Sequence, residues 1–163
     1  MQLIRFKQGY NGIRRQYGVS GVIKLNHKSI GGRVDIYTLE SPWNDSKDEP
    51  NGKLGLSCVN SGNYTISIEK SPVDGKEYPF IFNEKLNVCL RTKVNAIDRT
   101  GHAMYSYDGF NPLEIYGRFI LVGTGQNYNP SGFVQPFSGD QALAILKTYI
   151  RESGDTSLTI RWE

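Results

Sequence analysis

The sequence predicts a mainly β (α+β) fold: one compact β-sheet or barrel-like domain with a single C-terminal helix followed by a final strand. Three observations predict it. Period-two alternation of apolar and polar residues dominates the first two-thirds of the chain. One stretch alone, after Ser138, repeats its apolar residues at helical spacing. The length of 163 residues suits a single domain spanning 1–163, because a chain of that size buries roughly two-thirds of the surface its unfolded form exposes.

The elements follow in order. Leu3, Ile4 and Phe6 open a first strand, and Gly9-Tyr10-Asn11-Gly12 supplies turn residues that tolerate positive φ. A second strand covers about 17–25, with Gly18 and Gly21 marking bulges or close approach. Asn26-His27-Lys28-Ser29 turns the chain into a β-branched and aromatic strand at 34–39. From 41 to 55 the alternation gives way to Pro, Asn, Asp, Lys and Gly, the composition of a long loop. Strand 63–68 places Tyr64, Ile66 and Ile68 on one face. Pro72-Val73-Asp74-Gly75 turns the chain toward short apolar stretches at 78–82 and 86–94, and 95–112 is again loop-like. The run 118–122 is the most apolar in the chain and is expected to be a central strand buried on both faces. Ser138 and Gln141 have capping-box spacing ahead of Ala142, Leu143, Leu146, Tyr149 and Ile150, and Gly154 suits a left-handed C-cap. A last strand closes the chain, with Leu158, Ile160 and Trp162 facing one way and Thr159 and Arg161 the other.

Composition excludes several classes. Nineteen aromatic side chains (10 Tyr, 7 Phe, 2 Trp) are too many for a solvated, disordered polymer. No apolar run approaches the length of a membrane-spanning helix. Two cysteines cannot build a disulfide scaffold or a cysteine-rich zinc module. A formal net charge of +3, without a basic run denser than Arg14-Arg15, calls for no nucleic acid. The first residues lack the apolar core and cleavage site of a signal peptide, so synthesis in a cytoplasm is expected.

Chemistry-bearing residues are sparse. A catalytic thiol needs a base and oxyanion donors, and the available parts are Cys58, Cys89, His27 and His102. Cys89 alternates within a strand and Cys58 stands at the start of one, which are the positions of small buried hydrophobes. Asp98, His102 and Asp108 match no metal-ligand spacing, and no cofactor is expected. Gly123-Thr124-Gly125 lacks the third glycine of a dinucleotide loop. Asp35, Glu40, Asp98, Asp108 and Glu114 could pair for glycoside hydrolysis, but each reads first as an ordinary surface acid. Tyr105, Tyr107, Phe110 and Tyr128, with Phe133, lie in loops that join rigid aromatic area to amide hydrogen bonding, a mixture suited to protein or glycan contact.

Two segments carry a more specific signal. The first is Thr38-Leu39-Glu40-Ser41-Pro42-Trp43, and the second is Ser57-Cys58-Val59-Asn60-Ser61-Gly62-Asn63-Tyr64. In this order and at this separation they resemble a family of domains of unassigned function common in bacteriophages and prophages. Its motifs read Thr-Leu-Glu-x-Pro-Trp and Ser-Cys-(Ile/Val)-x-x-Gly-x-Tyr. That family also carries a late His and a Gly-Cys pair similar to the active site of L,D-transpeptidase-like cell-wall enzymes, in which Cys is acylated and His takes its proton. Here the corresponding positions hold Val122 and Gly123, and Gly132 and Phe133. None of these side chains can attack a carbonyl or accept a proton.

The resemblance therefore implies a scaffold without the chemistry. It points to a phage structural protein, a tail or other virion component made in the host cytoplasm and incorporated into the particle. Its partners would be other virion proteins or a host-surface component within a larger assembly, with no nucleic acid and no membrane span. The alternatives are a peptidoglycan-acting enzyme relying on Cys58 or a carboxylate, and a glycan-binding module used in host entry or lysis.

Overall fold

The computed structural model describes residues 1–6, 19–40, 58, 61–70, 75–83, 88–93, 118–128 and 134–163. Among them the chain forms β1 (Gln2–Arg5), β2 (Val19–His27), a 3-10 turn (Lys28–Ile30), β3 (Gly32–Glu40), β4 (Gly62–Lys70), β5 (Glu77–Asn83), β6 (Val88–Lys93), β7 (Arg118–Gly123), β8 (Gly125–Tyr128), β9 (Val134–Phe137), helix α1 (Gly139–Ser153) and β10 (Ser157–Trp162). The mainly β architecture, the C-terminal helix and the closing strand are those expected from the alternation and from the helical spacing after Ser138.

Eight strands close into a barrel in the order β1-β10-β4-β5-β6-β7-β3-β2. The β1/β10 and β6/β7 pairs are parallel and the others antiparallel. The four-residue β1 makes the closure, with Leu3 in register with Ile160 on one side and Ile23 on the other. Alternation then decides what points inward. Leu3, Ile23, Leu25, Ile36, Tyr64, Ile66, Ile81, Ile120, Val122, Leu158 and Ile160 belong to one buried cluster. An eight-stranded barrel is just wide enough for such side chains to fill. Ile120, Leu121 and Val122 are all buried, as expected for a strand covered on both faces.

Helix α1 covers one opening of this barrel. It packs against β2 and β5, which stand on opposite sides of the ring, and against β4, β6 and β7 between them. Its buried face is Ala142, Leu143, Leu146, Tyr149 and Ile150, the set its spacing predicts, and all five join the barrel core. Gly154 ends it at φ +67°, a conformation a side chain would strain.

The expected capping box does not form. Ser138 leaves β9 and turns directly into the helix with φ 56° and ψ 49°, and its side chain makes no cap bond. A capping hydroxyl needs extended backbone at that position to reach the third amide. Gln141 instead accepts a long 3.5 Å bond from the Thr124 hydroxyl, tying the helix start to the end of β7. Nor did the alternation reveal the ribbon of β8 and β9, which pairs Gly125 with Phe137 and lies against β3 and β7.

At the helix-covered end Asp155 gathers four donors. Its carboxylate accepts from the Met1 α-ammonium at 2.6 Å, the Tyr149 hydroxyl at 3.0 Å, and the Ser157 amide and hydroxyl at 3.0 and 3.1 Å. Burial pushes this carboxyl up, but the ammonium, the amide and the phenol outweigh it and hold it down at about 2. Burial, reinforced by the Asp155 charge, pushes the Tyr149 phenol above its ordinary value.

Two predictions follow from this architecture. A Cβ at Gly21 would lie 2.7 Å from the Ile4 carbonyl oxygen, 2.9 Å from Thr38 Oγ1 and 3.0 Å from Leu3 Cδ1. The nearest of these is backbone in a hydrogen-bonded ladder, so Gly21→Ala is expected to cost about 1–3 kcal/mol, read from the urea midpoint. Because folding depresses the Asp155 carboxyl, its contribution is complete above about pH 4 and is lost as the pH falls through about 2. Asp155→Asn should remove about 2 kcal/mol at neutral pH and flatten the stability profile between pH 4 and 2.

Candidate functional site

The opposite end of the barrel is polar inside. Arg5 is in phase with Leu3 on β1, and Glu40 is in phase with Ile36 on β3, so alternation sends both charged side chains inward. They meet across β2. Arg5 Nε donates to Glu40 Oε2 at 2.8 Å and Arg5 Nη2 donates to Oε1 at 2.7 Å, a two-pronged bond between side chains 1% and 2% exposed. The register explains the reach. Arg5 pairs with Gly21, and Gly21 pairs with Thr38, so the strand between the two charges presents no side chain beside Arg5.

Other groups close around the pair. Arg5 Cζ lies 5.4 Å from the Trp162 ring centroid, a cation-over-aromatic contact that continues the β1/β10 register. Burial opposes the guanidinium charge, yet the charge and hydrogen bonds of Glu40 outweigh it, and Cys58 and Tyr64 add smaller favourable fields. The net effect holds Arg5 more firmly protonated than in water. Cys58 is 3% exposed and Tyr64 belongs to the barrel core. Thr38 Oγ1, beside the same Gly21, is buried with no hydrogen-bond partner among the described residues.

Both sequence motifs converge here. Thr38, Leu39 and Glu40 end β3, Gly62 and Tyr64 begin β4, and Cys58 lies within the electrostatic reach of Arg5. Leu39 points outward and is buried opposite Leu121 on β7. Pro42, Trp43 and Ser57 fall outside the described residues. Glu40 is a correction: it is no surface acid, because its strand phase matches the apolar side of β3 and Arg5 neutralises it there. Asp35, on the other phase of β3, is exposed as expected.

Of the positions that the cell-wall enzymes would use, Val122 lies in the barrel core and Gly123 ends β7 opposite Tyr37. Gly132 and Phe133 lie outside the described residues, as do Tyr105, Tyr107, Phe110, His102, Asp98, Asp108 and Glu114. Tyr128 is the last residue of β8, and Cys89 sits on β6 in register with Phe82. His27 ends β2 at the helix-covered end, six residues beyond Gly21. At about 3.3 Å per strand residue that places it ~20 Å along the barrel from the Arg5 level, so it cannot serve Cys58.

Arg5 was not among the residues singled out from the sequence. Its signal was present as a cation in phase with Leu3 on one strand and an anion in phase with Ile36 on another. The arrangement does structural chemistry: two guanidinium N–H groups meet both oxygens of the carboxylate, and neither side chain is presented to solvent. Among the described residues no group of three His, Cys, Asp or Glu side chains could hold a metal ion, and no helix is long and apolar enough to cross a membrane.

Removing one partner strands the other as a buried charge. Arg5→Met is therefore expected to cost about 3–5 kcal/mol in denaturant unfolding, while Arg5→Met with Glu40→Leu should recover most of that loss.

Compared with known proteins, the chain matches no family model, no curated protein and no solved structure.

Proposed function

We propose that this chain is a non-catalytic structural protein of a bacteriophage particle, in the tail or elsewhere in the virion. In this reading it uses a barrel scaffold like that of a cell-wall enzyme as an assembly or host-surface module. The phage assignment rests on the two sequence motifs. The non-catalytic assignment is supported above all by Cys58, which is buried next to a self-neutralised Arg5–Glu40 pair and far from His27. Val122 supports it further, since the core holds that side chain and it carries no proton-transfer group.

The barrel interior is occupied by its own core, so recognition in this reading falls to the outer surface and the connections between strands. The mechanism is burial of aromatic and amide-bearing side chains against neighbouring subunits, on the order of 800 Å² per partner for a contact of standard size. The partners are other virion proteins or a host-surface component.

Two measurements test the proposal. Mass spectrometry of purified particles should find the chain in stoichiometric amounts, and its absence from them would end the virion assignment. A thiol-reactive probe should modify Cys58 in the folded chain on the order of a hundredfold more slowly than in denaturant, reflecting its burial. Rapid labelling in the folded state, together with turnover of muropeptides that is lost on Cys58→Ala, would establish the enzymatic alternative instead.

A further inference from the structure

We infer that His27 is a pH-operated latch: taking up a proton releases the cap it places on the turn between β2 and β3. His27 ends β2 with extended backbone, φ −160° and ψ 146°, and precedes the 3-10 turn Lys28–Ile30. Its Nδ1 accepts the Ser29 amide at 3.1 Å and lies 2.7 Å from Ser29 Oγ. An imidazole nitrogen that accepts a backbone N–H carries no proton of its own, so the capping form of His27 is the Nε2–H tautomer, whose Nδ1 lone pair faces both the Ser29 amide and the Ser29 hydroxyl. An added proton takes the Nδ1 lone pair. The imidazolium has two donors and no acceptor, and the Ser29 amide then faces an N–H instead of a lone pair.

The turn is not an isolated surface feature. It packs against α1, and Ile30 is partly buried against the barrel core. The His27 ring stands edge-on to Tyr149 of α1, with centroids 6.1 Å apart and planes at 90°. Tyr149 in turn donates to Asp155, which leads into β10. The cap therefore sits where the β2–β3 hairpin meets the helix that covers the barrel. Among the described residues, Lys28 lies in the same turn, Arg33 follows the register partner Gly32 on β3, and Asp155 stands beyond Tyr149. Asp155 stays ionised throughout the range in which an imidazole exchanges its proton, so its own bonds persist while the His27 cap is lost.

Amide and imidazole signals read by NMR between pH 8 and pH 5 test this latch. The Ser29 amide shift should follow the His27 Cε1–H titration with the same midpoint. Its exchange, corrected for the intrinsic pH dependence, should accelerate about fivefold once the imidazole is charged, the loss expected for one cap. The Ser157 amide, held by Asp155, should show neither change. His27→Asn keeps a capping oxygen and cannot titrate, so the Ser29 response should vanish in that variant. A Ser29 amide that stays flat while His27 titrates would overturn the inference, and so would an imidazole that takes up no proton across the range. Both outcomes are read on the unaltered chain and do not depend on the variant folding.

Discussion

The bond between Arg5 and Glu40 is the constraint on which the barrel's closure depends. β1 has only four residues, and it must pair in parallel with β10 and antiparallel with β2 to join the two ends of the sheet. So short a strand offers few ladder bonds with which to choose its register. Slipping it by one residue would turn Leu3 outward, which the hydrophobic effect forbids. Slipping it by two keeps the alternation intact, and burial of apolar surface alone does not reject that error. The ion pair rejects it toward the helix-covered end: Glu40 already lies two steps beyond Thr38, the level of Arg5, so a two-residue slip in that direction would carry Arg5 away from Glu40 and leave two unpaired charges inside the barrel.

A buried pair of this kind contributes little net stability against an apolar replacement, since desolvation offsets most of the attraction. Its contribution here is to oppose a slip of β1 that would keep the alternation intact. Gly21 belongs to the same device. It stands in register between Arg5 and Thr38, and the space where its side chain would be is occupied by the Ile4 carbonyl, Thr38 Oγ1 and Leu3. Glycine at that position, the long guanidinium on β1 and the carboxylate on β3 form one steric and electrostatic solution shared by three strands.

Much of the fold was legible in the alternation because a barrel strand has one wet and one dry face. Spacing alone puts Tyr64 and Ile66 on one face and Leu158 and Ile160 on another, the faces that turn out to be buried, and the helix face from Ala142 to Ile150 is the set its spacing predicts. What escaped were features decided by contacts between strands far apart in sequence. Glu40 and Arg5 each look like solvated charges when their strands are read singly, and they become a core pair once β2 brings them together. The capping box failed for a related reason: the spacing of Ser138 and Gln141 was right, but the exit from β9 dictated a left-handed backbone. The site was legible only in part, since motif residues Thr38, Glu40, Cys58 and Tyr64 do converge, yet around a cation that neither motif contains.

The two ends of the barrel are held by different physics. The helix-covered end is closed by apolar burial from α1, with Asp155 tying helix, β1 and β10 together. At the other end lie the last residues of β1 and β3 and the first residues of β2 and β4. The connections from β1 to β2 and from β3 to β4 therefore both depart from, and return to, the level of the Arg5–Glu40 pair. The Arg5–Glu40 pair thus joins the last residues of β1 and β3 at the point where both leave the barrel wall. Glu40, the last residue of β3, and Cys58, ahead of β4, both act on Arg5, so one cation on β1 orders motif residues on either side of the β3–β4 connection.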